Sequence, residues 1–180
     1  MIFNAIDILQ KELAVAGLNV EAGNIGELIS SGDGGNDKVI ISLVNIEENR
    51  ISRDPQPYVR TDTGIKLKNP AIHLNLTLLF TSTKAGYSQA LLDIQKVIGF
   101  FQENYLFDHS NTALLNNGIE KLILEMVSLN LEQLQQLWSM LGGKYHPSIV
   151  YKVRMITIDS ISEKDGPLIT EIDANYHLKK

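Results

Sequence analysis

Four histidines, His73, His109, His146 and His177, together with a complete lack of cysteine, bound the chemistry this sequence could carry. The histidines lie far apart, and none has the i, i+4 or short-loop spacing of a zinc pair. Without cysteine there is no disulfide, thiolate metal site or cysteine nucleophile, and the redox compartment stays open. His146 stands two residues before Ser148, but Ser148 lacks a glycine-flanked elbow and sits at a strand entrance, so the pair reads as a turn. Ser31 to Asp37, SGDGGND, is loop-like in composition yet lacks the alternating ligands and terminal glutamate of an EF-hand. Gly142 to Lys144, GGK, follows a helix rather than a strand, which makes it a C-cap and not a phosphate loop. Glu47 and Glu48 are adjacent and point to opposite faces of a strand, the wrong geometry for paired acid–base work. No catalytic, cofactor-binding or metal-ligating residue is assigned, and neither an enzymatic activity nor a cofactor is expected.

The remaining chemistry is that of contact. Arg50, Arg53, Arg60, Lys66 and Lys68 stand against only Asp54 and Asp62, a basic stretch in a chain whose formal net charge is -5. An ordinary solvated loop is one reading of it, and a docking element is the other. Tyr58, inside the same stretch, is an amphipathic side chain of the type enriched at interface hot spots. The overall acidity argues against nucleic acid or an anionic membrane as a general partner. No basic region followed by an apolar core opens the chain, and no apolar run reaches membrane-spanning length, so synthesis and assembly in the cytoplasm are expected.

The elements that would position these residues follow from periodicity. At 180 residues, 44% hydrophobic and 21% charged, the chain fits one ordinary globular domain, drawn at 1–160, with a polar tail at 161–180. Ile2, Ile6, Leu9 and Leu13 make residues 2–16 an amphipathic helix stopped at Gly17. Gly23 to Asp37 is turn-rich. Lys38 to Asn49 begins with both faces apolar, as a central strand would. Ile51 to Pro70, with three prolines and no sustained period, reads as a long connection. Ile72 to Thr81 alternates cleanly as a strand, and Tyr87, Leu91, Ile94, Ile98, Phe101 and Tyr105 mark a helix over 86–104. A turn, FDHSNTALLNNG, leads to a strand over Glu120 to Leu129. Asn130 with Gln133 forms a capping box for a helix bearing Leu131, Leu134, Leu137, Trp138 and Leu141, which Gly142 and Gly143 end. Pro147 blocks a restart, and Ile149, Tyr151, Val153, Met155 and Thr157 predict a last strand.

That order, α-β-β-α-β-α-β, predicts an α/β (α+β) fold with a single four-stranded mixed or antiparallel sheet and helices packed on one face. In the tail, Leu168, Ile169 and Ile172 form a short apolar island that could pair as an edge strand with another chain.

Several segments also carry a resemblance. MIFNAIDILQKEL, NPAIHLNLTLLFTS, the LxxLW helix with its GG stop, and HPSIVYKVRMITID are similar, in order, to the cap or tail-terminator proteins of phage-tail-like contractile injection systems. The resemblance implies a tail-terminator-like fold, a homo-hexameric ring at the distal end of the tube, termination of polymerisation, and contact with the tube protein and with the sheath. It places the protein in an injection particle, released from the cell or anchored at a membrane. Members that engage the sheath can carry a longer C-terminal extension than the residues after Ser160, so contact with the tube is the firmer expectation. Within it, Arg53, Tyr58, Arg60, Lys66 and Lys68 become interface candidates, with Leu168, Ile169 and Ile172 of the tail. The reading from another class is a monomeric binding module, or an enzyme with an unrecognised site, on the same scaffold. Fold alone does not separate the two, whereas molecular mass in solution does.

Overall fold

In the computed structural model, residues 1–30, 37–49, 58–61, 64–67, 72–113, 115, 119–158 and 164–165 are described. The chain opens with α1 (Ile2–Val15), closed by a left-handed Gly17 whose N–H bonds to Ala14 O, while Leu18 N–H reaches Leu13 O. This is a Schellman cap, and only glycine holds that φ of 84° without strain. Then come β1 (Val20–Ala22), α2 (Ile25–Ser30), β2 (Val39–Glu48), β3 (Tyr58–Thr61), β4 (Gly64–Leu67) and β5 (Ile72–Ser82). The second half holds α3 (Tyr87–Glu103), β6 (Leu106–Asp108), β7 (Lys121–Val127), α4 (Leu131–Met140), β8 (Ser148–Ile158) and β9 (Lys164–Asp165).

The main sheet has six strands in the order β1-β2-β5-β8-β7-β6, not four. Its four inner strands are the ones the alternating patterns predict. The edge strands β1 and β6 are three residues each, too short to show a period, and β6 lies where a turn was expected. Only the β1–β2 pair is parallel. The expected chain order is further interrupted by α2, inside the turn-rich stretch after Gly23, and by the β3–β4 hairpin.

Helices cover both faces, not one. Leu76, Leu78, Phe80, Tyr151 and Val153 face a core filled by α1 (Ala5, Ile8, Leu9, Leu13) and α3 (Val97, Phe101). Residues of the opposite parity, Ile40, Leu79 and Val150, meet Ile25 of α2 and Trp138 of α4 in a second cluster. Two-sided burial needs apolar residues at consecutive strand positions, and β2 (Val39, Ile40, Ile41) and β5 (Leu78, Leu79, Phe80) have them.

Two helices turn differently from their predicted stripes. Tyr87 and Leu91 are exposed on α3, while Asp93 is buried, accepting from Ser82 Oγ at 3.1 Å and Lys84 Nζ at 2.9 Å. That buried ion pair fixes the face α3 presents to β5. On α4 the capping box of Asn130 and Gln133 is present, but Leu131 in the first turn is exposed and Trp138 is the only buried residue. Gly142 and Gly143, both with positive φ, close the helix, with Gly143 N–H donating to Trp138 O at 2.7 Å.

Candidate assembly interface

The residues that could do chemistry stay apart or serve the fold. His146 is half-buried beside Trp138, ring centroids 5.9 Å apart, and burial lowers its pKa, with the nearby Lys144 charge adding to the shift. Ser148 opens β8 opposite Thr81. His73 is half-buried on β5, where its carbonyl accepts from Asn49 N–H. Of SGDGGND only Asp37 is described; its carboxylate accepts from Ala85 N–H at 3.4 Å. Glu47, on the polar part of the sheet face below α2 and α4, bonds Lys152 across β5 at 2.7 Å, and Arg154 bonds Glu125 at 2.7 Å on the same face. These cross-strand pairs neutralise the face internally, so it presents little net charge to a partner. Among the described residues, no group of three or more acidic or histidine side chains could hold a metal ion. No helix among them is long and apolar enough to cross a membrane.

The stretch expected as a long connection holds a hairpin. Tyr58 stands opposite Leu67, Val59 opposite Lys66 and Arg60 opposite Ile65, and β4 pairs in turn with β9, Lys66 opposite Asp165. This three-stranded sheet is separate from the main one. In chain order its strands come after β2, before β5 and after β8, and in the main sheet Glu48 stands opposite Leu74 and Ile72 opposite Ile158. Tyr58, Arg60 and Lys66 thus lie on this separate sheet, an arm of β structure outside the main one. Arg53 and Lys68 lie outside the described residues, as do Leu168, Ile169 and Ile172; the paired tail segment, β9, is upstream of that island and joins its own chain.

A second feature was not read from the sequence. Along the β1 edge, a groove of about 530 Å³ runs between α1, β2 and the end of α4, with Phe3, Ala22, Leu43, Val44, Met140 and Leu141 in its walls. A shallower depression of about 460 Å³ continues it past Asn24 to Glu27 of α2. Phe3 is 74% and Met140 69% exposed. The walls are held by short-range chemistry. Ser42 Oγ donates to Gly23 O at 2.7 Å and accepts from Ile25 N–H at 3.1 Å, and Asn24 Oδ1 accepts from Gly26 N–H at 3.1 Å. Gly26 lets α2 approach α4: a Cβ there would come within 3.1 Å of the Leu141 carbonyl oxygen. The available sequence signal was an apolar residue off the buried stripe, Phe3 in α1 and Met140 at the end of α4.

A model of the Pvc16 N-terminal domain family matches residues 6–171. No curated protein sequence matches the chain significantly. Among solved structures, the sheath/tube terminator of an extracellular contractile injection system, PVC, in its extended state, is similar over 100% of this chain and 64% of its own, with TM-score 0.68 and 14% identity. The tube-terminating cap of the anti-feeding prophage is similar over 78% of this chain and 50% of its own, with TM-score 0.54 and 16% identity. The chain therefore spans less than two thirds of the length of either structure. At these identities the likeness is one of fold: a mixed α/β domain built on a six-stranded sheet.

Proposed function

Since the chain belongs to the Pvc16 N-terminal domain family, we propose that it is a structural subunit whose copies form a ring, hexameric as in phage tail terminators, that caps the end of an injection tube and stops its growth. The observation that carries the reading is a fold shared along the whole chain with a sheath/tube terminator. Two local features agree with it. The buried polar groups serve the fold, Asp93 as a lock on α3 and Ser42 as a clamp on the β1–α2 turn. The basic stretch from Ile51 to Pro70 carries a hairpin braced by β9, a form suited to reaching a neighbour.

A cap must recognise the last ring of a polymer and refuse the next, which a domain without catalysis does through a shaped, repeated contact surface. In this reading Arg53, Arg60, Lys66 and Lys68 set the encounter, and Tyr58 the dwell time, at the tube end or the neighbouring subunit. Leu168, Ile169 and Ile172 add a strand contact between copies, and the sheath is a further partner. Arg53→Glu, Arg60→Glu, Lys66→Glu and Lys68→Glu together test it, with folding checked by circular dichroism and particles viewed by electron microscopy. The expected result is uncapped particles or tubes of uncontrolled length. Normally capped particles from a folded variant would place recognition elsewhere.

A further inference from the structure

At both ends of the main sheet an asparagine side chain occupies backbone groups that an added strand would use, and the closure at β6 is the more complete. Tyr105 O accepts from Leu124 N–H on the antiparallel β6–β7 ladder, so Tyr105 and Phe107 bond β7 while the N–H and C=O groups of Leu106 and Asp108 point away from the sheet. A bare row of such groups is a template for another strand. Here the row is already taken. The Asn111 carboxamide donates from Nδ2 to Leu106 O at 2.8 Å and accepts at Oδ1 from Asp108 N–H at 2.9 Å. Bonding the residues on either side of Phe107 is the pattern that one residue of a parallel neighbour would make, so a single side chain stands where a seventh strand would begin. Asp108 O is occupied as well, accepting from Thr112 N–H at 2.9 Å.

The turn that carries Asn111 is held firmly. Thr112 Oγ1 donates to Asn111 Oδ1 at 2.8 Å, and the Asp108 carboxylate accepts from Ser110 N–H at 2.8 Å and Asn111 N–H at 3.2 Å. Thr112 is buried, and Leu115 and Ile119 join Phe107 in the first core cluster, which anchors the chain beyond the turn. At the other end of the sheet β1 covers only Val39 to Ile41 of β2. Past it the ladder with β5 slips between Leu43 and Asn45, and Asn45 Oδ1 accepts from Ile46 N–H at 2.9 Å. We propose that Asn111 is an edge guard: its carboxamide holds the main sheet at six strands and denies the β6 edge to a strand from a second copy. Asn45 acts in the same sense on β2. The inference is independent of the capping reading and goes beyond it. For copies that meet in a ring, it means that a strand contact between them lies outside the main sheet.

The test removes the guard from the full chain. Asn111→Ala frees Leu106 O and Asp108 N–H; Asn111→Ser, whose short single hydroxyl cannot bridge both groups, serves where the alanine variant does not fold. Each is compared with the parent by sedimentation velocity over about a hundredfold range of concentration, and hydrogen exchange of the peptide containing Asp108 is read at both ends of that range. The parent, ring or monomer, gives the reference mass at each concentration, with its Asp108 amide protected throughout. The variant should gain at the high end a species of at least twice the reference mass. Its Asp108 amide should exchange at least tenfold faster than the parent's when dilute and slow again when concentrated. Adding Leu106→Lys to Asn111→Ala places like charges together wherever two β6 edges pair, and should abolish the association. Three results overturn the assignment: a folded variant with the reference mass at every concentration, added mass with the Asp108 amide still exchanging freely, or association that survives Leu106→Lys. Loss of cooperative folding in both variants overturns it too, since Asn111 would then be holding the fold. All readouts use the isolated chain, so their failure leaves the capping reading standing.

Discussion

Truncating Trp138 should be the most destabilising single change in the second core cluster, and its size can be worked from what surrounds the ring. Trp138 is 4% exposed and is the one fully covered residue of α4, seated over Ile40 of β2, Leu79 of β5 and Val150 of β8. Those three floor residues belong to adjacent strands of a six-stranded sheet and cannot rise to fill a void. The roof is a ten-residue helix pinned at both ends by its capping box and glycine stop. A cavity left by Trp138→Ala therefore stays largely open, at a cost of about 4 kcal/mol. The edge contact with Tyr145, at 5.8 Å, and the tilted contact with His146, at 5.9 Å, go with it. Trp138→Phe should behave differently. The indole Nε1–H is buried without an acceptor, so replacing indole by phenyl removes an unsatisfied donor and keeps most of the volume, for a net loss of about 1 kcal/mol. Guanidinium denaturation followed by far-UV circular dichroism is the assay, because the only tryptophan is the one being changed. The alanine variant should also melt about 10 °C lower. A loss under about 1 kcal/mol for the alanine variant, or equal losses for alanine and phenylalanine, would refute the packing argument.

Three further outcomes are expected. Lys84→Met should cost about 3 kcal/mol by stranding the buried Asp93 carboxylate, and adding Asp93→Leu should recover part of that loss in a double-mutant denaturation cycle. The lowered pKa of His146 means that the unfolded chain binds its proton more tightly. Its contribution to stability is therefore full above the ordinary value of 6.5 and is lost as pH falls below it, and in melting curves His146→Gln should flatten the decline between about pH 7.5 and 5.5. Deleting Ser162 to Lys180 removes β9 and the apolar island but nothing in either described core cluster, so the main domain should keep its cooperative unfolding while the arm loses its brace. Loss of cooperativity in that truncation would show that the tail supports the core.

Much of the main sheet was legible because its inner strands satisfy their rules locally. β5 alternates over eleven residues, and the glycine stops of α1 and α4 coincide with positive φ. The stripe on α3 misled for a physical reason. Tyr87 and Leu91 fit a helical face, but the face actually buried includes a charged residue, Asp93, whose partners Ser82 and Lys84 sit on and just after the preceding strand. No periodicity of apolar residues contains that information. The hairpin strands Tyr58–Thr61 and Gly64–Leu67 were missed because four residues are too few to show an alternating period, and only their pairing, with β9 added beside β4, reveals them as sheet.

By itself the sequence determined the three longer helices and the four long strands, where α1 and α4 stop, and the absence of cysteine chemistry, since each of these depends on neighbours within a few residues; the six-residue α2, in a stretch read as turn-rich, escaped it. The tertiary structure decided the two edge strands, the distribution of helices over both faces, and the groove at Phe3, Leu43 and Met140. Those depend on which surfaces meet. An exposed phenylalanine next to a buried stripe has the same local sequence as a packed one, and only when α1, β2 and the end of α4 come together does it become the wall of a site.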